Sequence, residues 1–132
     1  MLLEIDHHSG VPIYRQIIEQ IRRQIVGGLI AAGEQLMSVR ELAGKLKVNP
    51  MTVSKAYAYL EMEKLLERRR GVGLFVAPVS ADQKQQTGKE LVERQLGKAI
   101  ANARLFGMGR AEIKEIIDEM YQENEITRGA AK

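Results

Sequence analysis

Ser38-Val39-Arg40-Glu41-Leu42-Ala43 and, a few residues on, Val48-Asn49-Pro50-Met51-Thr52-Val53-Ser54-Lys55-Ala56-Tyr57 are the stretches that decide the fold. Ser38 and Glu41 have the S-x-x-E spacing of a capping box, in which the serine hydroxyl accepts from the glutamate N–H and the glutamate returns a bond. Val39, Leu42 and Leu46 give the short helix behind that cap one apolar side. Asn49 is a second cap, and Pro50 suits the first helical position, where a missing N–H costs nothing. Val53, Ala56, Tyr57 and Leu60 form the inward stripe of the second helix. Lys47-Val48 turns the chain between the two. Short helices joined so tightly make a helix-turn-helix.

Working outward, Leu66-Glu67-Arg68-Arg69-Arg70-Gly71-Val72-Gly73-Leu74-Phe75-Val76 places strand-like residues around a glycine-containing turn and predicts a β-hairpin, ended by Pro78. So short a hairpin needs the preceding helices to pack on. On the other side, Tyr14, Ile17, Ile18, Ile21 and Ile25 follow a helical period that starts at Pro12 and stops at Gly27-Gly28. Arg15, Arg22 and Arg23 lie off that face and read as solvated charges. Residues 1–10 are a lead-in ending in the turn-like Ser9-Gly10. His7 and His8 are adjacent there, but their side chains diverge and no third ligand is at hand, so no metal is expected.

Residues 79–88 are small and polar, a linker or the start of a helix. Leu91, Val92, Leu96, Ala99, Ile100 and Ala103 then predict a long amphipathic helix, Gly107-Met108-Gly109 a break, and Ile113, Ile116, Ile117, Met120 and Tyr121 a second helix. Fraying is expected after Asn124. The expected fold is mainly α with a small β-hairpin: a winged helix-turn-helix over residues 1–78, followed by a two-helix region over residues 89–132.

Composition narrows the function. The 132 residues include no cysteine, which suits a reducing cytoplasm and removes thiol chemistry. No apolar run approaches the ~20 residues of a membrane span, and no basic flank with an apolar core marks a signal peptide. Residues 1–78 hold 11 Lys/Arg against 8 Asp/Glu, and residues 79–132 hold 9 of each. The net charge of +3 therefore sits in the first part, where it favours a polyanion. No G-x-S-x-G, Walker loop or H-E-x-x-H is present, and no carboxylate pair converges. An enzyme is not expected, nor a cofactor.

From Gly33 to Val76 the sequence resembles the GntR family of bacterial regulators. The resemblance rests on Gly33-Glu34-Gln35-Leu36-Met37-Ser38-Val39-Arg40-Glu41-Leu42-Ala43, on Val48 to Tyr57 with Leu60-Glu61, and on Gly71-Val72-Gly73-Leu74-Phe75-Val76. Gly10-Val11-Pro12-Ile13-Tyr14-Arg15-Gln16-Ile17 is similar to the family's first helix, and the short C-terminal part to the YtrA-type subgroup. Met37 stands where the family usually has Pro, and Lys64 where it usually has Gly. Lys64 at a left-handed helix end would cost about 1 kcal/mol.

The resemblance implies a DNA-binding transcription regulator, with repression as the family's usual sense. In a helix-turn-helix the N-terminal part of the second helix enters the major groove. Asn49, Pro50, Met51, Thr52, Ser54 and Lys55 are the residues so placed. Thr52 and Ser54 can reach bases or phosphates, Met51 a thymine methyl, and Lys55 a phosphate or guanine. By resemblance Arg40 also meets DNA, and the hairpin tip of Arg70, Gly71 and Gly73 lies at the minor groove. Arg68 and Arg70 should share one strand face and Arg69 take the other.

One winged helix offers little interface, so a homodimer on a near-palindromic operator is expected. Leu96, Ile100, Ile113, Ile117 and Met120 are its predicted contacts. The alternatives are a protein-docking winged helix and an architectural DNA binder without sequence preference. A small-molecule effector at the dimer interface is left open by the sequence.

Overall fold

The computed structural model describes the backbone of residues 1–130 and the side chains of residues 1–124. Its elements run α1 (Ile13–Val26), α2 (Val39–Leu46), α3 (Pro50–Met62), β1 (Leu66–Arg69), β2 (Gly73–Val76), α4 (Ala81–Leu105) and α5 (Arg110–Ala130). They fall into two compact units, the first spanning Met1–Gly88 and the second beginning at Lys89.

In the first unit α3 is the hub, packing on α1, α2 and β1. Its Val53, Ala56, Tyr57 and Leu60 are buried against Ile17, Ile18, Ile21 and Ile25 of α1 and Leu42 and Ala43 of α2. Leu65, Leu66, Leu74 and Val76 close the core from the hairpin side. The predicted stripes of α1 and α3 are thus the buried ones, with Tyr14 partly buried at the edge, whereas in α2 only Leu42 of the predicted three is buried and Val39 and Leu46 are partly so.

The caps form largely as the sequence requires. Ser38 Oγ accepts from the Glu41 N–H at 3.1 Å, and Asn49 Oδ1 from the Met51 N–H at 2.8 Å. The return bond of the capping box is not made among the described residues. The Glu41 carboxylate bears electrostatically on Tyr57 instead. Pro12 occupies the N-cap of α1, one residue earlier than predicted.

The helix ends share one device. After α3, Leu65 N–H donates to Leu60 O and Lys64 N–H to Glu61 O, both at 3.0 Å, a Schellman closure that needs a left-handed residue between. Gly28 and Gly107 supply it after α1 and α4, with φ of 78° and 74°. After α3 Lys64 supplies it, at φ 64°, and Lys47 is likewise left-handed at the end of α2, at φ 58°.

The hairpin pairs Leu66 with Val76, Glu67 with Phe75, Arg68 with Leu74 and Arg69 with Gly73. It is not alone. Residues 33–36 run antiparallel along β2, through Gly33 N–H to Val76 O (2.8 Å), Val76 N–H to Glu34 O (2.8 Å) and Leu36 N–H to Leu74 O (2.9 Å). The wing therefore has a third, minimal strand where the sequence suggested two.

The lead-in is also more ordered than its sequence suggests. Gln16, Gln20 and Gln24 of α1 bond the backbone of Asp6, Glu4 and Leu2 in turn, at 2.6–2.9 Å. Four helical residues rise about 6 Å and two extended residues about 6.6 Å, so the two spacings run in step. The alternate residues Met1, Leu3 and Ile5 pack on the core.

α4 opens at Ala81, still within the first unit, where Ser80 Oγ accepts from the Gln83 N–H at 3.0 Å. Residues 81–88 are thus helix and not a linker. α5 continues to Ala130, past Asn124 where fraying was expected; Ala131 and Lys132 lie outside the described residues. From Lys89 on, in the second unit, Ala103 is the one buried apolar residue among the described residues. No helix among them is long and apolar enough to cross a membrane.

A non-glycine residue in the left-handed region is strained by about 1 kcal/mol. Lys64→Gly should therefore raise the unfolding free energy by about that amount, read as a higher urea midpoint at unchanged slope. An unchanged or lowered midpoint would show that Lys64 is not strained.

Candidate nucleic-acid interface

The first turn of α3 is where backbone geometry exposes side chains. Asn49 caps it and Pro50 opens it, and both are exposed together with Met51, Ser54 and Lys55, while Thr52 is half-buried. Met51 is 78% exposed. The Asn49 carboxamide oxygen is committed to the Met51 N–H, which leaves its amine side free to donate. Arg40 is exposed in the first turn of α2 and makes no ion pair among the described residues.

Tyr57 fixes how α3 meets the start of α2. Its ring is buried, and its hydroxyl donates to Met37 O at 2.9 Å, directly before the Ser38 cap. Burial, together with the Glu41 carboxylate, pushes the phenol well above its ordinary value of 10.0. Met37, in place of the family's usual proline, still presents the carbonyl that this hydroxyl requires.

The wing arginines divide their work differently from a simple face alternation. Arg68 turns to Glu61 of α3, with nitrogen–oxygen distances of 3.1 and 3.3 Å, and so ties β1 to α3. Arg69 lies over the Phe75 ring, 3.9 Å from its centroid. Arg70, in the turn, has no partner among the described residues. It is the wing's uncommitted cation.

The turn around Arg70 is set by two glycines. Gly71 is left-handed at φ 78°, and Gly73 sits at φ 140°, a region that only glycine adopts without strain. Gln35, which the sequence did not single out, donates through Nε2 to Val72 O at 3.0 Å and stands 2.9 Å from where a Cβ on Gly73 would lie. Gln35 thereby props the tip from the third strand.

A second contact ties α1 to α3. Lys55 Nζ lies 3.8 Å from the centre of the Tyr14 ring, and Tyr14 stacks obliquely with Tyr59 at 6.4 Å. At the far end of α3, Arg22 is bidentate to Glu63 and also reaches Glu19 at 3.4 Å. Arg22 is therefore not a free solvated charge, contrary to the sequence reading. His7 and His8 are exposed in the lead-in turn, and no group of metal-binding side chains occurs among the described residues.

Comparison with known proteins places this architecture. The family model for bacterial regulatory proteins of the gntR family matches residues 13–76, the span from α1 to the end of the wing. The HTH-type transcriptional repressor YtrA of Bacillus subtilis is 35% identical over 119 residues, covering 90% of this chain and 92% of that protein. The chain belongs to the GntR family. A GntR family transcriptional regulator from Listeria monocytogenes superposes with a TM-score of 0.71 at 32% identity, over 87% of this chain and 98% of that one. YtrA from Sulfolobus acidocaldarius, described as a GntR-family transcription factor, gives 0.57 at 34% identity, over 74% and 99%.

As a GntR protein the chain is a transcription regulator whose winged helix is its DNA-binding domain. The likeness to YtrA continues beyond the wing, as the sequence of the two C-terminal helices implied. Of the side chains predicted to pair protomers there, Ile100, Ile113 and Ile117 are half-buried, while Leu96 and Met120 are 39% and 57% exposed.

The Tyr57 bond has a signature in pH. A phenol held above its unfolded value contributes stability that is complete below pH 10 and is lost as pH rises beyond it. Below pH 10, Tyr57→Phe should be less stable than wild type by about 1 kcal/mol, the worth of one hydrogen bond. Above it wild type should lose stability faster, so that the gap closes. Urea titrations of both proteins across that range test this, and a gap that widens would refute it.

Proposed function

We propose that the protein is a cytoplasmic, homodimeric repressor that binds a near-palindromic operator in double-stranded DNA. The observation that carries this reading is the sorting of cations around α3. Arg22, Arg68 and Arg69 are engaged by Glu63, Glu61 and Phe75, whereas Arg40 and Arg70 are exposed without partners among the described residues. They flank the exposed first turn of α3 in sequence, from the start of α2 and from the wing tip. Open cations on the elements before and after an exposed helix tip suit a groove bounded by phosphates.

In this reading Asn49, Pro50, Met51, Thr52 and Ser54 meet base edges in the major groove, with Met51 on a thymine methyl. Arg70, with Gly71 and Gly73 permitting close approach, reads the minor groove beside it. Repression is supported by the naming of the Bacillus subtilis relative as a repressor.

The two-helix unit supports the dimer. Val92, Leu96, Leu105, Phe106, Ile116, Met120 and Tyr121 are all exposed there, and Ala103 is the unit's one buried apolar residue among the described residues. So many exposed large apolar side chains in a unit with so little core of its own suit an interaction face. A second copy covers it with Leu96, Ile100, Ile113, Ile117 and Met120, and its two-fold axis matches a palindrome.

Fluorescence anisotropy with a labelled fragment from the gene's own upstream region tests DNA recognition. Wild type should bind it roughly 10³-fold more tightly than scrambled DNA. Arg40→Ala and Arg70→Ala should each weaken it by about tenfold. Weak binding to all sequences alike, indifferent to Arg40, would point to an architectural role instead. Sedimentation tests the dimer: Met120→Asp, exposed in the single chain, should yield a folded monomer with weakened operator binding. A folded variant that stays dimeric would remove α5 from the interface.

A further inference from the structure

The contact between Lys55 and Tyr14 joins a residue expected at DNA to one that no sequence argument placed there. Lys55 lies one turn beyond Thr52 on α3, past the tip that meets base edges. Its ammonium turns toward α1. It folds sideways to 3.8 Å from the centre of the Tyr14 ring, across the packed α1–α3 boundary.

Tyr14 is itself held. It is partly buried against the core, and its ring lies 6.4 Å from that of Tyr59, one turn after Lys55 on α3. Together Tyr14, Met51, Thr52, Ser54, Lys55 and Ala58 line an open notch at this boundary. Lys55 is exposed there, with its ammonium over the ring.

A lysine is ordinarily a flexible point charge whose position costs entropy to fix. An aromatic face beneath the ammonium restrains it by cation–π attraction while leaving its outer hydrogens free to donate. In helix-turn-helix complexes the tip of the recognition helix meets bases, and its flanks run past phosphates. We propose that Tyr14 is a positioning residue for DNA binding, holding the Lys55 ammonium at the flank of α3 as a phosphate contact and not as a base reader. This rests on the DNA-binding reading above and assigns within it what the sequence left open for Lys55, a phosphate or a guanine.

The consequences differ for the two assignments. A phosphate contact adds affinity on every sequence and steepens the salt dependence, by about 0.9 in the slope of log K against log salt for each phosphate neutralised. A guanine contact instead changes the ranking of operator variants.

The test measures binding of Lys55→Met, Tyr14→Leu, Tyr14→Phe and the Lys55→Met/Tyr14→Leu double variant to operator and to scrambled DNA over a salt series. Lys55→Met should weaken both DNAs by a similar severalfold factor and lower the slope by about 0.9 per protomer engaged. Tyr14→Leu should weaken binding in the wild-type background and have no further effect once Lys55 is Met. Tyr14→Phe keeps the ring and should bind as wild type does. In the free protein the Lys55 ε-methylene should resonate upfield through the ring current and return to its usual position in Tyr14→Leu, a signature independent of overall stability.

Equal losses from Tyr14→Leu in both backgrounds would reduce Tyr14 to a packing residue. A changed ranking of operator variants in Lys55→Met would make Lys55 a base reader. Either result overturns the proposal and leaves the regulator reading intact. A wild-type protein that binds neither DNA would overturn both.

Discussion

Tyr57 carries a hydroxyl into the core, where the Met37 carbonyl accepts from it, and the join of α2 to α3 depends on that bond. A buried phenol without a partner would cost more than the bond gains, so the requirement is strict. Meeting it places the residue before the α2 cap against the middle of α3. With Ser38 then capping α2 and Asn49 capping α3, the angle between the two helices is set from both ends. The tip of α3 is left outside the core, since every turn of inward stripe lies behind it.

The wing depends on the same helix. Arg68 bonds Glu61 of α3, and Leu65 and Leu66 enter the core directly after the left-handed turn at Lys64. The third strand then completes what a two-stranded hairpin cannot do alone, giving β2 a partner on each side. Gln35 from that strand bonds the turn itself, so the path from the α3 core to Arg70 is hydrogen-bonded along its length. A rigid tip is what a single arginine needs if it is to find a groove of defined width.

Much of this was legible in the sequence, and the reasons are physical. Caps and stripes are local codes: Ser38, Asn49, Pro50 and the period of Val53, Ala56, Tyr57 and Leu60 specify their helices within a few residues. The left-handed backbone at Lys64 was foreseeable only from the resemblance, since the family usually has Gly at that position. What escaped was carried by contacts distant along the chain. Residues 33–36 show no alternation, so their pairing with β2 had no local signal. Arg22 meets Glu63 forty-one positions later, and spacing alone could not separate it from a solvated charge. The glutamines at positions 16, 20 and 24 do share one helix face, yet only the neighbouring extended backbone gives that face a purpose.

The candidate site shows why net charge was a weak guide. An excess of three positive charges over the first part says nothing about which cations are available. Carboxylates at Glu61 and Glu63, both near the C-terminal end of α3, hold Arg68 and Arg22 in structural pairs. Exposed pairs of this kind add little stability, but they orient long side chains and remove those cations from competition for phosphate. The N-terminal end of α3 carries no carboxylate between Asn49 and Leu60. The helix is therefore polarised, with acids anchoring its base to α1 and the wing and no carboxylate at its tip. That polarity, more than the total charge, suits the tip to a phosphate-lined groove.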